Sequence, residues 1–555
     1  MPVRQFACVG WVFALVCSCV FVSVSGPVFA AAQRPNILLL VAEDMSARVG
    51  SFGDPVAQTP NLDTLARVSV SFTNVFTTAG VCAPSRAALI TGLHQISFGA
   101  QHMRSSTGGL GAYFAVPSED VKAFPELLRR AGIYTLNDGK LDYQFSGPSA
   151  RSGPFSVWDW EGSRDWSGAN GQPFFAMFNF LETHESGVMS TEGEPRSASH
   201  AQTIAFRRQS GMEAPRVTDP ARVELPPYYP DVREVRADVA RHYDNIHLMD
   251  QRVGAVLKKL GDDGLADSTI VIWTTDHGDG LPRAKRDLFD SGLRVPLMIH
   301  FPAGLAPQGW QPGETDERMI SFIDLAPTIL RMAGVAPASY HQGHDFLVSS
   351  RQYVYASRDR IDEVTDRQRA VRDERFKYIK SWYPDVPGGH RLLYRDNLDM
   401  VVRMREMYER GELDANASRW FEPVGVEQLY DLRNDPDELH NLIGHPDYQI
   451  ERQRLATELA AWQVRVGDMS EVSETQMRDA LLVDGSVGQT IAPVFNHTST
   501  GIELSAPNNA SIGYRVNGGR WRLYTGPLTP ESSTLEAKAV RYGWQESVVQ
   551  IYTID

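Results

Sequence analysis

From Pro35 onward, short apolar runs alternate with stretches in which apolar residues recur every three or four positions. That alternation predicts βαβ units around a largely parallel sheet. Asn36-Ile-Leu-Leu-Leu-Val-Ala42 is apolar on both faces, as a central parallel strand must be. Comparable runs occupy residues 133–136, 174–180, 270–273 and 295–301. Val235, Val239, Tyr243, Ile246, Val253, Leu257 and Leu260 trace one buried stripe of a helix that stops near residues 261–264, where glycines cluster. Residues 33–345 therefore read as one large α/β domain.

The pattern then changes twice. Runs at 353–356, 376–381 and 429–432 predict strands and 448–466 a helix, giving an α+β subdomain over 346–482. In the last segment, Ile512, Tyr514 and Val516 alternate into Asn517-Gly518, the strongest two-residue hairpin signal, and short strands are expected at 535–539 and 548–552. Residues 483–555 thus read as a small β-sandwich module.

Residues 1–32 read as an export signal, with Arg4, an apolar run over 9–24 and a small-residue site near Val28-Phe29-Ala30-Ala31. The run is short for a membrane span and ends in Ser, Gly and Pro. A lipid anchor at Cys17 or Cys19 is not expected, so the mature protein is expected in the periplasm or outside the cell. With 42% hydrophobic and 22% charged residues the chain can bury a large core. A net charge of −14 from 54 Lys+Arg and 68 Asp+Glu gives no nucleic-acid surface. Signal removal leaves Cys82 as the one thiol of the mature chain, which excludes an intrachain disulfide.

In an open parallel sheet the site lies beyond the carboxyl ends of the strands. Four predicted strands deliver ionisable groups there: Glu43 and Asp44, Lys140 and Asp142, Glu182 and His184, and Asp276 and His277. Three carboxylates and an imidazole suit a hard divalent cation, Ca²⁺ or Mg²⁺, better than zinc. Pro84 places Cys82 at the start of a helix that ends near Gly92, and a helix start favours an anion. Arg86 adds a fixed charge one turn on.

Cys82-Ala-Pro-Ser-Arg86 followed by Ala-Ala-Leu-Ile-Thr-Gly resembles the signature of type I sulfatases. Pro35-Asn36-Ile37 into Glu43-Asp44, Gly139-Lys140, Thr275-Asp276-His277-Gly278 and Leu429-Tyr-Asp-Leu-Arg-Asn-Asp-Pro436 follow in the family's order. The likeness covers residues 34 to about 470, and around Lys285 it is closest to N-sulfoglucosamine sulfohydrolases and bacterial carbohydrate sulfatases. It implies an alkaline-phosphatase-like fold and a maturation enzyme that oxidises Cys82 to formylglycine. It also implies one Ca²⁺ (or Mg²⁺) held by Glu43, Asp44, Asp276 and His277 with Cys82 completing the set, and a sulfated carbohydrate substrate. Arg86, Lys140 and Lys285 would hold the sulfate, and His184 would protonate the leaving group.

Three departures stand out: Glu43-Asp44 replaces Asp-Asp, His277 replaces a frequent Asn, and Lys-x-His reads Lys140-Leu141-Asp142, which leaves Asp142 as the candidate base. His94, His102 and Arg104 could line the substrate pocket, with Arg104 meeting a sugar carboxylate. Trp158, Trp160 and Trp166, in a Gly- and Ser-rich stretch, could stack on sugars. A phosphomonoester or phosphonate hydrolase of the same superfamily and a non-catalytic glycan-binding protein are the competing functions. Neither a His-rich two-zinc set nor a degenerate nucleophile is visible to favour them.

Overall fold

A computed structural model describes residue 1 and residues 34–103, 113–145, 154–189, 194–530 and 533–554. Residues 2–33, where the export signal is expected, and Arg104 lie outside the described residues. Residues 35–555 form one unit.

Its centre is a nine-stranded sheet made of β1 (Asn36–Ala42), β2 (Val70–Phe76), β3 (Tyr134–Asp138), β4 (Trp160–Glu161), β5 (Phe174–Phe180), β6 (Thr269–Thr275), β7 (Arg294–His300), β8 (Thr315–Asp316) and β9 (Ile320–Ser321). The order is β4-β3-β5-β1-β6-β7-β2-β8, with β9 also pairing β2. β1 pairs in parallel with β5 and β6, whereas β7 runs antiparallel to both β6 and β2. Two reversals leave β2 pointing with β1, so every strand but β7 in that central run ends at one edge.

The seven residues of β1 are all buried because helices cover both faces. Ile37, Leu39 and Val41 pack with α2 (Cys82–Thr91), α3 (Phe124–Arg130) and α7 (Leu325–Met332); Leu38, Leu40 and Ala42 pack with α1 (Pro60–Arg67) and α5 (Arg233–Asp262). The 30-residue α5 carries the stripe read from the sequence, with Val235, Val239, Tyr243, Ile246, Val253 and Leu260 buried.

β10 (Val354–Arg358), β11 (Gln368–Arg372), β12 (Phe376–Ser381) and β13 (Glu427–Asp431) form an antiparallel sheet. Ala356, Ala370, Ile379 and Tyr430 on one face pack on Phe76, Leu288 and Leu293 of the central body. On the other, Val371, Tyr378 and Leu429 pack on Leu455, Leu459 and Trp462 of the helix Gln449–Val466.

The C-terminal strands are β14 (Val494–Thr498) with β15 (Gly501–Ser505), and a second sheet of β16 (Ser511–Val516), β17 (Arg522–Leu523), β18 (Ser533–Val540) and β19 (Gln550–Ile554). Ile502 and Leu504 of one sheet share a buried cluster with Ile512, Leu535, Ala537 and Ala539 of the other. Asn517 and Gly518 both have positive φ, 50° and 69°, so the turn after β16 uses the backbone that this dipeptide tolerates.

These strands rest on the central body through Glu126. It accepts hydrogen bonds from Tyr542 Oη at 2.7 Å and Ser511 Oγ at 2.6 Å, and the Tyr542 ring stacks on Phe145 with centroids 4.8 Å apart. Burial pushes the Glu126 carboxyl up, but Arg130, Lys122 and the hydroxyl donors outweigh it and hold the group below the usual carboxylate range. Its contribution is therefore complete above the ordinary carboxylate pKa and is lost as pH falls through the lower folded value. Glu126→Ala strands two buried hydroxyls and should cost about 1–3 kcal/mol in urea unfolding. An unchanged midpoint would show that these contacts do not brace the C-terminal strands.

Candidate active site

The carboxyl ends of five parallel strands meet at one buried cluster. Glu43 and Asp44 follow β1, Asn179 sits near the end of β5 with His184 and Glu185 just beyond, Lys140 follows β3, and Asp276 and His277 follow β6. Cys82 opens α2 six residues after β2. Lys285 and Arg286 come from the loop before β7, whose reversed direction starts it at this same edge. Glu43, Asp44, Arg86, Asp276 and His277 are fully buried.

Arg86 is the hub. Its Nε donates to Asp276 Oδ2 at 3.1 Å, Nη1 to Asn179 Oδ1 at 2.7 Å and Nη2 to Glu43 Oε1. Lys140 Nζ takes the other oxygen of Glu43. Asp44 lies between Lys285 and His277: Lys285 Nζ donates to Oδ2, and His277 Nε2 is 2.9 Å from Oδ1. Backbone N–H groups complete the frame, from Glu185 to Asp44 Oδ2 at 2.7 Å and from Asp44 to Asp276 Oδ1 at 3.0 Å. Burial alone would raise Asp44, but Lys285, His184 and His277 pull it well below the carboxylate range.

The thiol of Cys82 is 3.3 Å from His277 Nε2 and 3.6 Å from Asp44 Oδ1. The helix holding it is fixed by Ser85 Oγ, which donates to the carbonyl of Asp276 at 2.7 Å, and by Gly92 in the left-handed conformation at its end. Gly80 has no room for a side chain: an added Cβ would lie 2.5 Å from the carbonyl of Asp287. That contact lets the loop carrying Lys285 pass over the loop before Cys82, where Arg286 N donates to Gly80 O. Arg286 adopts φ 79°, a strained value for a side-chain-bearing residue, and its guanidinium grips Glu185 through two 2.7 Å bonds.

The donor set fits a cation. His277 Nδ1 lies 2.9 Å from its neighbour's carbonyl at Gly278, so that nitrogen carries the proton and Nε2 turns a lone pair toward Asp44 Oδ1. A lone pair facing a carboxylate at 2.9 Å requires a proton or a metal ion between them. Burial lowers His277, but Asp276, Asp44 and Cys82 raise it well above an ordinary imidazole. Donor atoms of Asp44, Cys82, Asp276 and His277 lie within 4.8 Å of one another, as do those of Glu43, Asp44, Cys82 and His184. Oxygen donors in this number suit a hard ion.

His184 borders the cluster, with Nε2 3.5 Å from Lys285 Nζ and 3.9 Å from Asp44 Oδ2. Its Nδ1 accepts from the Ser186 backbone N–H and lies 2.9 Å from the Ser186 hydroxyl, which leaves the proton on Nε2. Burial and then Lys285 push its pKa well below the usual imidazole value.

The other expected residues make contacts of their own. Asp142 is half-buried, and among the described residues no hydrogen bond or ion pair joins it to Cys82 or Lys140. His102 is buried against Tyr113 Oη at 2.9 Å, beside Glu474, and burial brings its pKa down to about 4. His94 packs edge-on against Trp462, away from the cluster. Trp158 and Trp166 are core residues stacked on Phe175 and Phe174; Trp160 is 46% exposed. Asn179, Glu185 and Arg286 were not singled out by the sequence, although Glu185 and Arg286 each adjoin a residue that was.

A mostly parallel sheet gathering carboxylates, an imidazole, an arginine and two lysines at its carboxyl edge places the chain in the alkaline-phosphatase-like fold class. Within that class the Sulfatase family model matches residues 35–167 and 160–335, and the model for the C-terminal part of N-sulphoglucosamine sulphohydrolase matches 283–389. An ulvan-active sulfatase of Formosa agariphila is 38% identical over 94% of this chain and 92% of its own. Human N-sulphoglucosamine sulphohydrolase is 28% identical over 79% of this chain and 91% of its own. A solved 2-O GAG sulfatase shares the fold, with a TM-score of 0.55 and 20% identity over 79% of this chain and 94% of that one. The chain belongs to the sulfatase family and is a sulfuric ester hydrolase. Among the described residues no helix is long and apolar enough to cross a membrane.

Proposed function

We propose that this protein is an exported carbohydrate sulfatase that uses formylglycine made from Cys82 and one Ca²⁺ ion to remove sulfate from ulvan or a similar sulfated polysaccharide. The carrying observation is the placement of Cys82 at the start of α2, within 3.6 Å of both Asp44 and His277 and one turn from Arg86. The likeness to the ulvan-active sulfatase over nearly the whole of both chains supports the polymer. Residues 1–32 support export.

As its hydrate, formylglycine would supply one hydroxyl to attack sulfur and a second whose deprotonation expels sulfate and restores the aldehyde. A bound Ca²⁺ would draw charge from the sulfuryl oxygens, held by Glu43, Asp44, Asp276 and His277. The remaining work falls to side chains already in place. Arg86 fixes the directions of Glu43 and Asp276 from behind. Lys140 and Lys285 flank residue 82 as ammonium groups able to hold a sulfate in line. His184 offers Nε2 to the departing oxygen, and the neighbouring Lys285 makes its protonated form a strong acid. Asp142 remains assigned as the base for the hydrate by its position after Lys140.

Protein from a host with a maturation enzyme should give a residue-82 peptide about 18 Da lighter than the thiol form. The same preparation should release sulfate from ulvan oligosaccharides, lose that turnover on chelation and regain it with Ca²⁺. Unmodified Cys82 in fully active protein, or faster hydrolysis of p-nitrophenyl phosphate than of every sulfate ester tried, would overturn the reading.

A further inference from the structure

A band of aromatic and cationic side chains runs from the C-terminal strands onto the rim of the catalytic sheet. Arg520 lies 4.8 Å over the ring of Trp160, Arg515 and Lys538 lie 4.8 and 4.9 Å over Trp521, and Lys538 also lies 4.6 Å over Phe155. Strand register explains the grouping. Gly513 pairs with Lys538 and Arg515 with Glu536, so these side chains share the face of the sheet opposite its apolar core. Gly513 leaves a gap that Phe155 fills: an added Cβ would come within 2.6 Å of that ring. The band is therefore fixed to the catalytic body and not carried on a free module.

Three features set this surface apart from an ordinary solvated face. Trp160 is 46% exposed on the two-residue edge strand β4. Arg520 is exposed and anchored by a 2.8 Å bond to the carbonyl of Asp159. No carboxylate pairs with it among the described residues, whereas Arg515 and Lys538 are each balanced, by Glu536 and Glu546. A chain with net charge −14 thus presents an uncompensated guanidinium beside an open indole. Indole faces stack on the apolar faces of sugar rings, and a guanidinium offers paired donors that match sulfate oxygens.

Its location links it to the site. Trp160 pairs with Leu136 of β3, the strand that leads through Gly139 to Lys140. We propose that Trp160, Arg520 and Trp521 form an accessory surface that grips a sulfated polysaccharide strand on the rim of the catalytic sheet, outside the residue-82 cluster. The proposal rests on the carbohydrate sulfatase reading for the identity of the strand. Holding one part of a polymer raises the effective concentration of its other sulfated units at the cluster.

Affinity electrophoresis through gels containing dextran sulfate, polygalacturonate or unmodified dextran tests it, using the full chain in the Cys82→Ala background so that no turnover intervenes. Dextran sulfate should retard the protein, unmodified dextran should not, and polygalacturonate should act less strongly than dextran sulfate. Arg520→Glu and Trp160→Ala should each weaken retardation by dextran sulfate about tenfold, with thermal melting confirming that both variants fold. Arg522→Glu, on the neighbouring residue and outside the band, controls for a general charge effect and should change retardation less than twofold. Equal losses in all three variants, or none in Arg520→Glu and Trp160→Ala, would overturn the proposal. Because binding is read without catalysis, failure of the sulfatase reading would appear as missing sulfate release while the retardation pattern stood.

Discussion

Cys82→Ala should lower sulfate release by roughly four orders of magnitude or more, because it deletes the proposed nucleophile and leaves only binding and the oriented charges. Stability should change by less than about 1 kcal/mol. The Cβ is retained, and the lost sulfur makes only a 3.3 Å contact to His277 and a 3.6 Å contact to Asp44. Thermal melting and ion-chromatographic sulfate assays check the two halves independently. A variant that melts with the wild type and still turns over at a tenth of its rate would remove Cys82 from the chemistry.

Arg86 should give the opposite balance, with a large loss of stability as well as activity. Its guanidinium is fully buried and serves Glu43, Asp276 and Asn179 together. Arg86→Met keeps most of the volume but leaves two neighbouring carboxylates without their shared cation. Removing one partner from a buried ionic network costs about 3–5 kcal/mol, which should appear as a large drop in the urea midpoint. Arg86→Lys restores a charge, yet one ammonium cannot reach three acceptors set in a planar fork. It should recover part of the stability and little of the activity. A Met variant with an unaltered midpoint would mean that Arg86 does not hold the cluster together.

Much of this fold is legible in the chain because burial on two faces leaves a plain signature. The run 36–42 is apolar throughout, and it is the strand with helices on both sides. Polar groups just after such runs pointed to Glu43, Asp44, Lys140, Asp276 and His277, since parallel strands share an exit edge. Asn179 was hidden for the converse reason: it lies inside an apolar run, and its only mark is one amide among aromatics. Glu185 and Arg286 belong to irregular segments, where no periodicity ranks one charge above the next. The tryptophans show the limit of composition. Three in one stretch resemble a sugar platform, but two fill the core beside Phe174 and Phe175, and tertiary packing alone tells them apart.

The outer strands of the central sheet are each two residues long, β4 at one end and β8 and β9 side by side along β2 at the other. Long, flat strand edges recruit strands from other chains. With six strand residues at its two margins, this sheet offers little template for an intruding chain, and Arg520 folded over Trp160 obstructs one margin further. A wide parallel sheet is ordinarily slow to assemble and prone to aggregate while incomplete. Here its finished state is sealed against the same association that threatens its folding.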